Sequence, residues 1–110
     1  MVSMSLYGQT GPWAEWSGFG HVLQAAAGFN HLTGWPDGPP LGSGTAYTDY
    51  LVPHLFTLAV VAALDHRRRT GEGQYIDGSQ FEAALHALGT TVLDWTARSE
   101  ERRVGKECRL

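Results

Sequence analysis

Between Leu51 and Leu64 the chain is almost continuously apolar, with one proline, Pro53, near the start of the run. No other feature constrains the fold as tightly. Proline lacks an amide hydrogen and is tolerated in the first turn of a helix, where that amide would have had no partner. A helix is therefore predicted to begin close before Pro53 and to run through Leu64 to about Arg68. Leu51, Leu55, Leu58, Ala59, Ala62 and Ala63 can share one side of it, and Val60, Val61 and Leu64 extend the apolar surface around much of its girth. A helix of this kind is expected to be buried among other elements, which suits a layered α/β architecture. The densest part, Leu55 to Leu64, is shorter than the roughly 18 to 20 apolar residues needed to cross a bilayer. Asp65, His66 and Arg67 end it, so no membrane partner is expected. Asp49 falls at or just before the N-terminus of this helix.

The other elements are weaker. Val2 to Tyr7 suits a short strand that turns at Gly8-Gln9-Thr10-Gly11-Pro12. Gly20 to Ala27 favours a short helix, with Gly28 placed to end it in a left-handed conformation. Thr33 to Gly44, which contains Pro36-Asp37-Gly38-Pro39-Pro40, reads as a loop. Thr70 to Gly73 is a turn, Gln74 to Asp77 a short strand, and Ser79-Gln80-Phe81-Glu82 a capping box that opens a helix. That helix carries Phe81, Ala84, Leu85, Leu88, Val92 and Trp95 at helical spacing. The expected fold class is α/β and helix-rich, with strands near 2–7 and 74–77 and helices near 20–27, 50–68 and 79–97.

After Ala97 the character of the chain changes. Five of its eight Lys and Arg residues lie in Arg98 to Leu110, a string that resembles an in-frame translation of a sequencing-library adapter. The division expected is a partial domain over 1–97 and a non-native tail over 98–110. Without the tail, Arg67, Arg68 and Arg69 are the basic residues left against eight acidic ones, which argues against nucleic-acid binding. Cys108 is the single cysteine, and Met1 to Gly11 lacks the pattern of a secretory signal. A reducing, cytoplasmic setting is the default. The five histidines form no His-x-x-x-His pair and no metal site is expected. Gly18-x-Gly20 and Gly42-x-Gly44 lack the strand, loop and helix context of a nucleotide fingerprint.

Several motifs in order carry a resemblance. They are Ser5-x-Tyr7-Gly8-Gln9-Thr10-Gly11-Pro12, then Gly18-Phe19, Gln24-Ala25 and Gly28, then Gly34-x-Pro36-Asp37-Gly38-Pro39-Pro40. Asp49 and Ala62-Ala63-Leu64-x-x-Arg67-x-x-Thr70-Gly71-x-Gly73-Gln74-x-x-Asp77 complete the series. From Ser3 to about Ala97 the chain resembles the class III CoA-transferases, the family of formyl-CoA transferase and carnitine CoA-transferase, and covers a minority of a full-length member. The resemblance implies an internal fragment of an enzyme that is an interlocked homodimer when complete. It implies a coenzyme A thioester and a carboxylic acid as substrates, with no tightly bound cofactor. Asp49 matches the catalytic aspartate, which forms first an acyl anhydride and then a thioester with CoA. Gln24 and Ala25 match a coenzyme A contact.

Each feature also has a plainer reading. On spacing alone Asp49 is a helix cap, Asp being a favoured N-cap residue. Gln24 either touches CoA or serves packing within its helix. Arg67 to Arg69 suit a helix C-terminus as well as a phosphate. Trp13, Trp16 and Trp35 either wall an acyl pocket or pack beneath loops. Two other functions compete with CoA transfer. An α-methylacyl-CoA racemase would need a base facing Asp49, and the matching position is Phe19, with His21 two residues along. A non-catalytic folded fragment is the third reading, and an isolated piece is expected to be inactive. The expectation for the tail has its own test: resequencing the source DNA should show different codons after Ala97, and the same codons continuing into genuine coding sequence would overturn it.

Overall fold

The computed structural model describes residues 1–105, and side chains as far as residue 98. It is mixed α/β and helix-rich, built from β1 (Val2–Ser5), α1 (Gly20–Ala26), α2 (Phe29–Leu32), α3 (Tyr47–Thr70), β2 (Ile76–Ser79), α4 (Gln80–His86) and α5 (Gly89–Gly105). The strands pair in parallel, with Val2 opposite Ile76 and Ser5 opposite Ser79. Parallel strands need a long crossover. Here α1, α2 and α3 all lie within it.

The register of this small sheet moves β2 two residues later than the sequence suggested. The N-terminal amine donates to the Gln74 carbonyl at 2.9 Å, and the Ile76 amide donates to the Met1 carbonyl at 2.9 Å, so ladder pairing starts at Ile76. Leu6 extends the strand contact, because its carbonyl accepts from the Phe81 amide at 2.8 Å and from the Ser79 hydroxyl at 3.3 Å. Ser79 is at once the last residue of β2 and the cap of α4. Its hydroxyl accepts the Glu82 amide at 3.2 Å, the Ser79 half of the expected capping box.

Gly28 follows α1 at φ 92°, as expected, and the same residue opens α2, a single turn that the sequence left unassigned. The long loop closes onto that turn, with the Leu41 amide bonded to the Asn30 carbonyl at 3.0 Å and the Thr33 hydroxyl to the Leu41 carbonyl. The helix expected over 79–97 is two helices. Bonds of the i to i−3 type at Ala87 and Leu88 tighten the end of α4, and Gly89, a weak helix former, starts α5. Its backbone continues past Ala97 to Gly105.

The core is small: Leu23, Ala27, Phe29, Val52, Ala84 and Leu88, flanked by half-buried Leu51, Phe56 and Phe81. Phe56 locks α3 onto β2, because its ring occupies the space that a Cβ at Gly78 would fill. The expectation that α3 is buried throughout does not hold. Only Thr48 and Val52 are fully buried in it, and Leu55, Leu58, Val61 and Leu64 are exposed. The radius of gyration is 18.0 Å, against about 13 Å for a compact chain of this size. Judged over all 24 residues rather than its apolar run, α3 is long and apolar enough to cross a membrane, a test that core helices also pass.

An apolar helix face of this width left open to water favours association. The 110-residue chain should sediment as concentration-dependent oligomers, and Leu58→Lys with Val61→Glu should shift it toward monomer. A monodisperse wild-type monomer with one sharp unfolding transition would contradict this.

Candidate active site

Three helices begin at one point. Gly20 is the first residue of α1, Gln80 the first of α4, and Asp49 stands in the first turn of α3. Expected at or just before the helix start, Asp49 is instead the third helical residue, and Ala46 occupies the cap without a side-chain bond. The reason lies outside the local sequence. Gln24, from α1, presents its Oε1 to the Tyr47 amide at 2.9 Å and satisfies an amide that a local cap would otherwise take. Pro53 is thereby carried into the second turn, where its missing N–H withholds a helical bond from the Asp49 carbonyl.

Gln24 is 1% exposed. Its Nε2 donates to Asn30 Oδ1 at 2.9 Å and to Ser43 Oγ at 3.2 Å, while Oε1 takes the Tyr47 amide. One buried amide thus ties α1 to α2, to the long loop and to the start of α3. Ala25, paired with it in the sequence reading, is exposed on another face of α1.

The Asp49 carboxylate lies flat against Gly20. A Cβ there would overlap Cγ and both carboxylate oxygens, so only glycine admits this approach. Beside it the buried Thr48 hydroxyl donates to the Gly20 carbonyl at 3.2 Å and fixes the α1–α3 crossing. From the other side Gln80 Nε2 donates to Asp49 Oδ1 at 2.5 Å. Gln80 is 9% exposed, whereas Asp49 itself is open to solvent. The arrangement is an accessible carboxylate with its back against backbone and one oxygen held by a buried amide.

In the sequence Gln80 is a spacer of the capping box and Gly20 a helix start, and neither is marked as part of a site. A polar residue between a strand end and an apolar helix face, directly after the Ser79 cap, was the available signal for Gln80. Phe19 precedes Gly20 and is 82% exposed. Tyr7, Trp13, Trp16 and Phe81 form one aromatic cluster, with Trp13 and Trp16 stacked at 5.4 Å. Trp13 and Trp16 therefore pack the glycine-rich turn over α4, while Trp35 stands apart and exposed. Asp65 pairs with Arg68 at 3.4 Å and with Arg69 at 3.0 Å at the far end of α3, where the helix dipole favours cations.

The family model described as CoA-transferase family III matches residues 1–109. The chain belongs to CoA-transferase family III. Its match continues through the segment after Ala97. The chain is 43% identical over 93 residues to a succinate–glutarate CoA-transferase of Agrobacterium fabrum, covering 84% of this chain and 23% of that protein. It is 38% identical over 97 residues to an acetyl-CoA:oxalate CoA-transferase of Acetobacter aceti, covering 87% and 25%. A crystal structure of a CAIB/BAIF family protein from Brucella suis superposes with a TM-score of 0.83 at 34% identity, over 89% of this chain and 26% of that one. The family III chain thus spans about a quarter of the length of these relatives.

The Gln24 amide gives the site its first test. Gln24→Leu leaves the Tyr47 amide and the Asn30 and Ser43 side chains short of a buried partner, at a cost of about 1 to 3 kcal/mol. Urea unfolding of the 110-residue chain should show that loss, and exchange protection at the Tyr47 amide should fall. An unchanged midpoint would mean that the network contributes nothing.

Proposed function

We propose that the enzyme containing this segment transfers CoA from an acyl-CoA to a free carboxylic acid, with Asp49 as the nucleophile. The observation that carries the reading is the Asp49 carboxylate, exposed to solvent yet held between Gly20 and Gln80 in a family III chain. A carboxylate is a weak nucleophile, and covalent catalysis by one divides a difficult exchange into easier steps. Attack on the thioester gives a mixed anhydride and CoA thiolate. The thiolate returns to leave CoA on Asp49, and the acceptor carboxylate reverses the sequence. Alignment of substrates must supply most of the rate.

Relatives of this chain are named for succinate, glutarate, malate and oxalate, and the short dicarboxylates are the acids to try first. Phe19 beside Gly20 supports transfer over racemisation, since its ring cannot accept a proton. Gln24 is proposed as the support of the site, a role its buried bonds favour over direct contact with CoA, and Ala25 is the exposed member of the pair. The complete enzyme is proposed to be a homodimer, and residues 98–110 to be foreign to it.

The test uses the intact enzyme. Incubation with succinyl-CoA should place a covalent adduct on Asp49, which hydroxylamine converts to a hydroxamate detectable by peptide mass. Asp37, Asp65 and Asp77 should remain unmodified. Asp49→Ala should abolish exchange into glutarate while the fold persists. An Asp49→Ala enzyme that exchanges CoA at near the wild-type rate, or a label on another carboxylate, would reject the assignment.

A further inference from the structure

The two oxygens of Asp49 are not equivalent. Gln80 Nε2 engages Oδ1, and among the described residues it is the side chain that donates to this carboxylate. The donor is rigidly mounted. Gln80 follows β2 without a loop, Ser79 is tied to Leu6 on one side and caps α4 on the other, and Phe81 bonds the Leu6 carbonyl directly. A buried amide on such a mount keeps its direction while charge in front of it changes. Oxyanion stabilisation requires that property.

We propose that Gln80 is a catalytic residue, the oxyanion donor for the carbonyl that Asp49 itself becomes during CoA transfer. The proposal rests on Asp49 being the nucleophile. In the first step Oδ2 attacks the thioester carbon, the C–S bond breaks and CoA leaves as thiolate. Oδ2 then bridges the two acyl groups of the anhydride, and Oδ1 is the carbonyl oxygen on the enzyme side. In the second step the thiolate attacks Asp49 Cγ and the π pair moves onto Oδ1. Collapse breaks the Cγ–Oδ2 bond, so the donor acid departs as a carboxylate carrying that oxygen. In the third step an acceptor carboxylate attacks Cγ, charge again develops on Oδ1, and thiolate is expelled. In the fourth step thiolate attacks the acceptor carbonyl, forming the new acyl-CoA and freeing the Asp49 carboxylate. No proton is transferred and charge is conserved throughout. Steps two and three place an oxyanion at Oδ1, against Gln80; steps one and four place it on substrate, out of that role.

Gln80→Met and Gln80→Leu keep the side-chain bulk and remove the donor. Acid-quenched rapid mixing of the intact enzyme with succinyl-CoA, followed by peptide mass, separates acylated Asp49 from CoA-bearing Asp49. The wild type should pass quickly to the CoA adduct. The variants should form the anhydride at the wild-type rate and accumulate it, with the CoA adduct appearing about 100- to 1000-fold more slowly. The concentration of succinyl-CoA that half-saturates the first step should stay within about threefold, as expected when an interaction acts only in a later transition state. A CoA adduct forming within about threefold of the wild-type rate in either folded variant would overturn the proposal. So would an equal fall in both steps, which marks a merely structural role. Absence of any Asp49 adduct in the wild type would instead remove the nucleophile assignment, and the Gln80 role with it.

Discussion

The face of Gly20 is in contact with the carboxylate of Asp49, and the rest of the site is arranged around that approach. Two helices come this close only where one of them lacks a side chain. Once the backbones meet, Thr48 can reach the Gly20 carbonyl, and Gln24, one turn further along α1, can reach the start of α3. Each bond is buried or half-buried, and a broken one would leave a desolvated polar group behind. The contact therefore does two things at once. It sets the crossing of α1 and α3, and it fixes the carboxylate with its open edge toward solvent.

Much of the fold was legible in the sequence, and the failures share a cause. Pro53 shows that a helix starts nearby, Gly28 where a helix ends, and Ser79 where another begins, because each acts on backbone within a turn of itself. The turn on which Asp49 sits was misjudged, since the cap of α3 is a glutamine 23 residues upstream. The same blindness hid the shift of β2, which is decided by pairing with Met1 and Val2. Asp49 is singled out by the family pattern; spacing alone makes it a cap. Gln80 was missed because its neighbours in sequence explained it well enough, and its partner lies 31 residues away.

The two halves of α3 differ in what they meet within this chain. Its first turns meet α1, α4 and β2, all present in this chain, and bury Thr48 and Val52. Beyond Phe56 the helix presents Leu58, Val61 and Leu64 to water, and the chain spans about a quarter of its relatives' length. The half that carries Asp49 is packed within this chain, and the outer half is open to water.

The direct passage from β2 into α4 makes the placement of Gln80 against Asp49 depend on strand register. With no linker to absorb an error, a slip of one residue between Val2–Ser5 and Ile76–Ser79 would turn every side chain of β2 to the opposite face. It would also bring the hydroxyl of Ser79 or the ring of Phe81 toward Asp49 in place of an amide. A sheet of two short strands is a weak guarantor of alignment by itself. The ring of Phe56 seated on Gly78 supplies what the strands lack, since it fits at only one position along β2. An aromatic side chain two turns down α3 from the carboxylate thus works as an indexing pin, deciding which residue is dealt into the site.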